Sequence, residues 1–557
     1  MLKKHNILLL LIILLSFVLR FYKLDSIPVG FNDDEAAFGY NAYSILKTGR
    51  DEWARLLPFP AFESFGDWKL TGYLYLTVVS QFFLGTKEFA TRFPSALLGI
   101  GAIITTYLLA RKLFDNKIAL LSSFLLAINP WHIIASRNAF ESDILIFFIT
   151  LATYLFLRGK DNKKFYTFSV IVFALCFYIY RSAWLYVPIF LAVLIYFHKN
   201  TIERNKIFFV KNLILLVLLL TPLIPTVLSF QGQSRFFQES YIFGIQRIGI
   251  INEINEKRGA CLEKSTPLFC QIAYNKFFSF ITAYFSNYFE NLSPQTLFTK
   301  SPAGGYQSFS NRGLLYSFEM PLLLIGIFAL ISTKNPQAKI LLPWLLIVPI
   351  GASFTGVGNP GRLNILLPAP QIIEAFGVFW LFGILKRTFL KRIVFVVFSF
   401  LIIVSFTRLI SDMFYYYPKI SAKSQRYGYK QLFDYLQSQQ KNYDAIAVSR
   451  KNDDAKQYIH YLFFEKIDPN LFFDSAYTIR FRGDDKWQEV QKIGKFSFFP
   501  STPAVETLPP KSLLAVGEKE VSFPLSPIYT INDLKGDRIF EIYDVDSVKE
   551  SIEKNEI

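Results

Sequence analysis

Three successive carboxylates, Asp33, Asp34 and Glu35, lie in the loop that follows the first apolar segment of the chain. An amphipathic helical pattern begins after them, and the dipole of such a helix stabilises ionised acids at its start. One carboxylate can simply cap the helix, because Asn32 or Asp33 is well placed as the N-cap. The alternative is a carboxylate held ionised at a membrane surface. There it would accept a proton from a hydroxyl group or bind a divalent metal.

A second group of charges lies in the segment NPWHIIASRNAFESD, residues 129–143. Arg137, Glu141 and Asp143 fall at or just inside a membrane boundary, where charges are costly and are therefore functional candidates. Glu141 and Asp143 have an acid-x-acid spacing that can hold a metal. The structural alternatives are a snorkelling Arg137 and an i, i+4 ion pair between Arg137 and Glu141.

Several cations stand at the ends of apolar runs, where a phosphate group would suit them. Arg181 follows two tyrosines, and Arg362 lies in GNPGRLNILLPAP, in which glycine and proline open the backbone. The planar guanidinium of arginine matches a phosphate in geometry. Lys69 and Arg92 are further cations near the membrane. The structural alternative is that these side chains only anchor helix ends.

The elements that must position these residues are apolar. The chain has 557 residues, is 52% hydrophobic and contains 60 phenylalanines. Runs of about 18 apolar residues predict membrane-spanning helices. Eleven such runs fall at about 6–22, 94–113, 118–135, 143–157, 166–180, 184–198, 207–229, 313–332, 339–356, 363–385 and 392–410.

The net charge of +16 would suggest nucleic acid as the partner of a soluble protein. Here lysine and arginine cluster in alternate gaps between the apolar runs, so membrane orientation explains them better. We predict a polytopic α-helical protein of the cytoplasmic membrane, with its N-terminus inside and its C-terminal region outside. The first run follows a basic start and lacks a cleavage site, which favours an uncleaved first span.

Three external segments follow from this topology. In the first, 23–93, the helix after the acidic triplet and the stretch Tyr73–Leu84 are expected to be juxtamembrane helices on the membrane surface. In the second, 230–311, Cys261 and Cys270 are candidates for a disulfide if the segment faces an oxidising side. The third, 412–557, alternates helical and strand patterns and predicts a soluble α/β domain behind a membrane domain of residues 1–411. Its predicted helices are 427–437 and 453–464, and its predicted strands are 443–449, 512–517 and 538–545.

Some functional classes are not supported. The four histidines form no metal-binding pattern, and the sequence has no Walker A loop, dinucleotide fingerprint or nucleophile elbow. A transporter or flippase of lipid-linked saccharides stays the main alternative, although few charges lie deep within the apolar runs. A sensor or scaffold that works through the C-terminal domain would leave eleven spans unexplained.

Four motifs in order resemble the GT-C class of membrane glycosyltransferases, close to bacterial relatives of protein O-mannosyltransferases and of the lipid A aminoarabinose transferase. The resemblance covers about residues 1–410. The motifs are P-x-G-x-x-D-D-E-A at Pro28–Ala36, R-F-P-S-A-L at Arg92–Leu97, N-P-W-H-x-x-x-S-R at Asn129–Arg137 and R-x-x-x-L-L-P-x-P at Arg362–Pro370.

The resemblance implies an inverting transfer of a sugar from a polyprenyl-phosphate donor to an acceptor hydroxyl on the outer face of the membrane. It implies catalytic roles for Asp34 and Glu35, with Asp34 preferred as the base, and places Arg362 at the donor phosphate. Members of this family often have a Lys-Pro-Pro-Leu segment late in the first loop. This chain reads Lys69-Leu70-Thr71-Gly72 there, and this departure weakens the case for a functional Lys69.

The remaining candidates keep the roles that their residue types suggest. The acceptor, whether protein, lipid or polysaccharide, stays open, and so does a divalent metal. Further phosphate contacts are expected from Arg137, Arg181 and Lys69, and a second acid or metal ligands from Asp33, Glu141 and Asp143.

Overall fold

The computed structural model describes residues 4–203, 205–229, 240, 244, 246–300, 309, 312–449, 456–482 and 488–555. The chain divides into two compact units. The helical unit contains residues 1–22, 95–136 and 140–409, and the α/β unit contains residues 23–94, 137–139 and 410–557. The boundary at 409/410 lies close to the one predicted at 411/412. The first predicted external segment, however, groups with the C-terminal residues.

Every predicted apolar run overlaps at least one helix of the structure. The α-helices lying wholly or mostly in the helical unit are Lys4–Phe21, Glu88–Leu113, Asn116–Ile128, Pro130–Ala135, Glu141–Arg158, Lys164–Ile179, Ala183–Phe197, Lys199–Glu203, Lys206–Leu220, Ile224–Leu228, Gln246–Leu262, Pro267–Ala273, Lys276–Asn291, Glu319–Ser332, Ala338–Ala352, Pro360–Leu363, Ala369–Ile384 and Thr388–Ser411. Shorter turns are Thr221–Leu223, Gln295–Thr299, Ser353–Thr355 and Asn364–Leu366.

In the part of the chain that the structure describes, fewer helices reach the length of a membrane span than the eleven apolar runs predict. Among the described residues, 5 helices are long and apolar enough to cross a membrane, or 6 if the bent pair at Pro360–Leu366 and Ala369–Ile384 is one span. Four further apolar helices are shorter than 18 residues. The helical membrane architecture thus agrees with the sequence, while eleven spans and their orientation stay predictions.

Close helix packing in the helical unit depends on small residues. The helices Glu319–Ser332 and Ala369–Ile384 meet at Gly326 and Gly377, where a Cβ on Gly377 would lie 2.6 Å from the Gly326 nitrogen. Glycine at both positions lets the two backbones touch, as in membrane helix pairs. By contrast, the long helix that starts at Thr388 leaves most of its apolar side chains exposed, which suits contact with lipid.

The cysteines of the second predicted external segment are bonded to each other. Cys261 lies in the helix Gln246–Leu262 and Cys270 in the helix Pro267–Ala273, and their sulfurs are 2.04 Å apart. This is the pair that the sequence indicates. Parts of this segment, residues 230–239, 241–243, 245, 301–308 and 310–311, lie outside the described residues.

The α/β unit contains all the strands among the described residues. Its strands are β1 (Ala61–Ser64), β2 (Asp67–Leu70), β3 (Ala445–Ser449), β4 (Thr478–Arg482), β5 (Gln488–Ile493), β6 (Phe496–Phe499), β7 (Ser512–Gly517), β8 (Tyr529–Asn532) and β9 (Arg538–Asp544). Its helices and turns are Asp33–Thr48, Thr71–Leu84, Asp412–Tyr416, Tyr417–Ser421, Tyr429–Gln439, Gln457–Phe464, Pro469–Phe473, Val505–Thr507 and Val545–Asn555.

Strands β3–β9 form one sheet in the order β4-β5-β6-β3-β7-β9-β8, and β1 and β2 form a separate hairpin. The central strand β3 runs parallel to β6 and β7, and the other pairs are antiparallel. Strands β3, β7 and β9 and the helices Tyr429–Gln439 and Gln457–Phe464 lie where the sequence pattern indicates them. Residues 453–455 of the second predicted helix lie outside the described residues.

Both faces of the central strands are covered, which explains their nearly continuous apolar sequences. Successive side chains of a strand point to opposite faces of the sheet. Leu513 and Ala515 of β7 accordingly pack in the core cluster that includes the helices Tyr429–Gln439 and Gln457–Phe464. Leu514 and Val516 pack instead in the cluster with the C-terminal helix.

Candidate functional site

The acidic helix, Asp33–Thr48, begins with a capping box. The side-chain oxygen of Asn32 accepts a hydrogen bond from the Glu35 backbone nitrogen at 3.1 Å, and Glu35 Oε2 accepts one from the Asn32 nitrogen at 3.3 Å. Two orphan backbone donors are thereby satisfied. Asn32 is therefore the N-cap, and of the three acids it is Glu35 that completes the cap.

Glu35 is fully buried against Arg92. The Arg92 guanidinium donates to both carboxylate oxygens at 2.8 Å, and Glu35 Oε1 also accepts from the Ala139 nitrogen at 2.9 Å. Arg92 further donates to the carbonyls of Pro28 and Gly30, at 2.9 and 2.6 Å. This bidentate pair holds the first loop to the start of the helix Glu88–Leu113. The position suits a structural role for Glu35.

Asp33 has different partners, supplied by the C-terminal part of the chain. Arg426 donates to Asp33 Oδ2 at 3.0 Å, and His460 Nε2 donates to Oδ1 at 2.8 Å. Although burial alone would raise it, the hydrogen bond from His460 and the charge of Arg426 hold the pKa of Asp33 well below its usual range. Asp33 thus ties the acidic helix to the C-terminal residues of the α/β unit.

Asp34 is the most exposed member of the triplet. Its side chain is 34% exposed and pairs with Lys69, whose Nζ lies 2.5 Å from Asp34 Oδ1. Lys69, at the end of the β1–β2 hairpin, is itself 1% exposed and also contacts Asp67 at 2.5 Å. The lysine orients the Asp34 carboxylate while part of it faces solvent. This arrangement can accept a proton from a bound hydroxyl group.

Most of the acidic helix is packed by protein. Phe38 and Ala42 are fully buried, and the Phe38 ring lies 4.9 Å from that of Tyr73. On another face, a Cβ on Gly39 would overlap the ring of Phe463, so only glycine allows this contact. Phe38 and Ala42 of this apolar face therefore pack on protein, Leu46 at its end is exposed, and the position of the helix at the membrane surface stays a prediction. The helix Thr71–Leu84, in contrast, leaves Phe82 and Phe83 exposed.

Glu52 is a buried acid that the sequence did not single out. Asn41 donates to it at 2.8 Å, Ser64 at 2.9 Å and the Tyr458 hydroxyl at 2.9 Å. Burial raises the pKa of Glu52 to about 7 despite these hydrogen bonds. The carboxyl group joins the acidic helix, the hairpin and the helix Gln457–Phe464. No local pattern distinguishes such an acid from a solvated one.

Arg137, expected at a phosphate, is fully buried in the α/β unit. Its guanidinium donates to the Ile27 carbonyl at 2.8 Å and to the Lys23 carbonyl at 3.0 Å. Burial and the nearby charge of Arg92 lower its pKa. These contacts fix the chain just before the Asp-Asp-Glu triplet, so the described geometry suits an anchor of the first loop.

In the helical unit, the segment with Arg362 is fixed to the start of the helix Glu141–Arg158. The side-chain nitrogen of Asn364 donates to Asp143 Oδ1 and, at 3.3 Å, to Ser142. Asn359 caps the short helix Pro360–Leu363 by accepting from the Arg362 nitrogen at 3.3 Å. These three hydrogen bonds set the backbone around Arg362, whose side chain is half-buried.

Glu141 and Arg181 are the remaining candidates of the helical unit, and they lie at the starts of different helices. Glu141 is buried at the first residue of its helix, and Arg181 is half-buried just before the helix Ala183–Phe197. Within the described residues, no three His, Cys, Asp or Glu side chains are grouped so as to hold a metal ion. The acid-x-acid pair of Glu141 and Asp143 therefore has no third ligand of these types there.

Comparisons with known proteins agree with the resemblance seen in the motifs. A family model described as dolichyl-phosphate-mannose-protein mannosyltransferase matches residues 71–224. YkcB of Bacillus subtilis (strain 168), provisionally named a mannosyltransferase, is 28% identical over 89 residues, which are 16% of this chain and 12% of YkcB. The undecaprenyl phosphate-alpha-4-amino-4-deoxy-L-arabinose arabinosyl transferase of Wigglesworthia glossinidia brevipalpis is 29% identical over 160 residues, 27% of this chain and 26% of that protein. The matched stretches are thus a minor part of both relatives.

Solved structures extend the likeness to the whole chain. The apo structure of ArnT from Cupriavidus metallidurans aligns with a TM-score of 0.53 and 12% identity, over 97% of this chain and 98% of ArnT. The same protein bound to undecaprenyl phosphate aligns with a TM-score of 0.51 and 11% identity, over 96% of this chain and 97% of ArnT. At such identities the likeness establishes a shared fold. The resemblance to GT-C membrane glycosyltransferases is confirmed.

Proposed function

We propose that this protein is a glycosyltransferase that moves a sugar from a polyprenyl-phosphate donor to an acceptor hydroxyl on the outer face of the cytoplasmic membrane. The observation that carries the proposal is the geometry of Asp34, the most exposed carboxylate of the triplet, held by the buried Lys69. The ArnT structure with undecaprenyl phosphate supports the donor class. The matching family model supports the transfer of a sugar.

In the proposed reaction Asp34 removes the proton of the acceptor hydroxyl. The freed oxygen attacks C1 of the donor sugar from the face opposite the phosphate, and the bond from C1 to the phosphate oxygen breaks. The configuration at C1 inverts in this single displacement. A hydroxyl group is a poor nucleophile, so a positioned base lowers the barrier.

We assign Arg362 to the donor phosphate. The phosphate leaves as an anion, and a guanidinium stabilises the negative charge that develops on it. The contacts of Asn359 and Asn364 hold the backbone on both sides of Arg362. Because Asp143 bonds Asn364, it is a positioning residue in this proposal rather than a group that touches the donor.

The test is transfer from a panel of labelled undecaprenyl-phosphate sugars by the purified full-length protein in liposomes. We expect Asp34→Asn to lower the rate by about 10²–10⁴-fold, the usual contribution of a general base. Arg362→Ala should raise KM for the donor by roughly tenfold or more, the effect of losing about 1.4 kcal/mol of binding. Asp25→Asn, a matched change at an exposed acid of the same segment, should leave the rate unchanged.

Full transfer by Asp34→Asn would remove the base assignment. If no donor released its sugar while lipid-linked saccharide crossed the bilayer, the protein would be assigned as a flippase and not as a glycosyltransferase. Parallel reactions with EDTA decide whether the divalent metal left open by the sequence takes part.

A further inference from the structure

The α/β unit contains a cavity of about 310 Å³ beside the central sheet. One wall is formed by the ends of β3 and β7, at Ser449 and Gly517, and by the start of β9. The opposite wall comes from residues 423–429, which lead into the helix Tyr429–Gln439. Its volume is at the small end of the range for ligand sites, enough for a single compact ring rather than a chain.

The cavity lies where open α/β sheets usually bind ligands. Strands β3 and β7 are parallel neighbours, so their carboxyl ends share one edge of the sheet. The chain leaves β3 towards β6 on one side and continues from β7 towards β8 and β9 on the other. Neighbouring parallel strands with connections in opposite directions leave a crevice at their carboxyl ends, and this crevice is the common binding position.

The lining indicates a neutral ligand rich in hydroxyl groups. Three basic and four acidic side chains face the cavity, so neither an anion nor a cation is favoured by net charge. Lys423 and Arg538 supply donors, Glu518 and Asp537 supply acceptors, and Tyr427 supplies an aromatic surface. A sugar hydroxyl both donates and accepts, so a pyranose ring can use both kinds of group at once.

The rim of the cavity is held by buried contacts. Glu520, 8% exposed, accepts from Ser449 Oγ at 3.0 Å and from the Gly517 nitrogen at 2.7 Å. These two bonds join the carboxyl ends of β3 and β7. A rim fixed by a buried carboxylate is preformed, which reduces the entropy lost on binding.

Two contacts join the cavity to the acidic helix. Arg426 lines the cavity and donates to Asp33 at 3.0 Å. Tyr429 also lines it and stacks on His460, with 4.9 Å between ring centroids, and His460 donates to Asp33. A ligand in the cavity would therefore touch side chains that hold the residue next to Asp34.

We propose that this cavity binds one neutral pyranose residue of a carbohydrate acceptor. The acceptor role rests on the proposed glycosyltransferase function, whereas the binding of a pyranose does not. The same ring chemistry could come from the donor sugar, and the two sources predict different kinetic effects.

Binding is tested on the full-length protein in a detergent without a sugar head group, since maltosides would compete. The probes are methyl α-mannopyranoside, methyl β-galactopyranoside and N-acetylglucosamine, and inorganic phosphate is the anionic comparison. Binding of each probe is measured by saturation-transfer NMR. At least one sugar should bind at millimolar concentration. Arg538→Ala and Asp537→Ala should weaken it at least tenfold, while Lys554→Ala and Glu550→Ala, at exposed positions of the C-terminal helix, should not. Asp34→Asn should bind the sugar like the wild type.

Three results would overturn the proposal. The protein binds no sugar, the two cavity variants bind sugar as well as the wild type, or the protein binds phosphate in preference to the sugars. In transfer assays the cavity variants should raise KM for a saccharide acceptor and leave KM for the lipid donor unchanged. The opposite pattern would assign the ring to the donor and refute the acceptor role. Sugar binding by a protein that transfers no sugar would refute the proposed function while the pyranose site stands.

Discussion

At the scale of single residues, the three neighbouring carboxylates of Asp33, Asp34 and Glu35 have three different surroundings. Successive helical residues point about 100° apart, so each carboxylate meets different neighbours. Glu35 is enclosed with Arg92, Asp33 pairs with Arg426 and His460 and is 20% exposed, and Asp34 is the most exposed of the three at 34%. A proton acceptor must reach its substrate, so exposure decides between Asp34 and Glu35.

A prediction at this scale separates catalysis from structure. Glu35→Gln leaves the charge of Arg92 buried without its carboxylate, and breaking a buried pair in this way costs about 3–5 kcal/mol. We expect a clearly lower unfolding temperature for Glu35→Gln and a wild-type temperature for Asp34→Asn, measured by thermal unfolding in detergent. A stable Glu35→Gln protein that transfers no sugar would instead show that Glu35 acts in catalysis.

At the scale of elements, the acidic helix is held on several sides. It packs on the helix Thr71–Leu84 through Phe38 and Tyr73 and on the helix Gln457–Phe464 through Gly39 and Phe463. Glu52, in the loop that follows, receives hydrogen bonds from residues before and after it in sequence. The helix that bears Asp34 is thus a rigid support, as a positioned base requires.

The buried Glu52 predicts a specific pH dependence of stability. Its pKa is about 7 in the folded protein against 4.5 ordinarily, so the folded state holds this proton more tightly between those values. Stability should therefore fall as pH rises from 4.5 to 7, by about 3 kcal/mol from this group. Glu52→Gln should remove that part of the slope.

The measurement is the thermal unfolding temperature of both proteins from pH 5 to 8. Glu550→Gln, a change at an exposed glutamate of the C-terminal helix, is the matched control and should keep the wild-type slope. Equal slopes in wild type and Glu52→Gln would mean that Glu52 is ionised throughout this range.

At the scale of the whole molecule, the chain forms a helical unit and an α/β unit, and the second is assembled from distant parts of the sequence. The first loop supplies the acidic helix, and the last 148 residues supply the large sheet. Asp33 contacts Arg426 and His460, which lie more than 390 residues further along the chain, and these contacts join the two parts. Loss of the C-terminal segment should therefore disturb the acidic helix as well.

The predicted orientation is tested by reporter fusions. Lysine and arginine in alternate gaps predict that the C-terminus lies outside and the gap around Lys160 inside. Alkaline phosphatase should be active when fused after the last residue and inactive when fused after Lys160, and green fluorescent protein should show the reverse. A phosphatase that is inactive at the C-terminus would place the α/β unit in the cytoplasm and contradict the proposed side of transfer.

Local pattern was enough for much of this protein. The apolar runs predicted helices, the alternation after residue 412 predicted the strands β3, β7 and β9, and the ordered motifs indicated the GT-C resemblance. These features depend on hydrophobic periodicity, which each segment carries in its own residues. The roles within Asp33–Glu35, the buried state of Glu52 and the packing of the acidic helix were decided only by tertiary structure. Their partners lie tens to hundreds of residues away, and burial and charge pairing arise only when those residues meet.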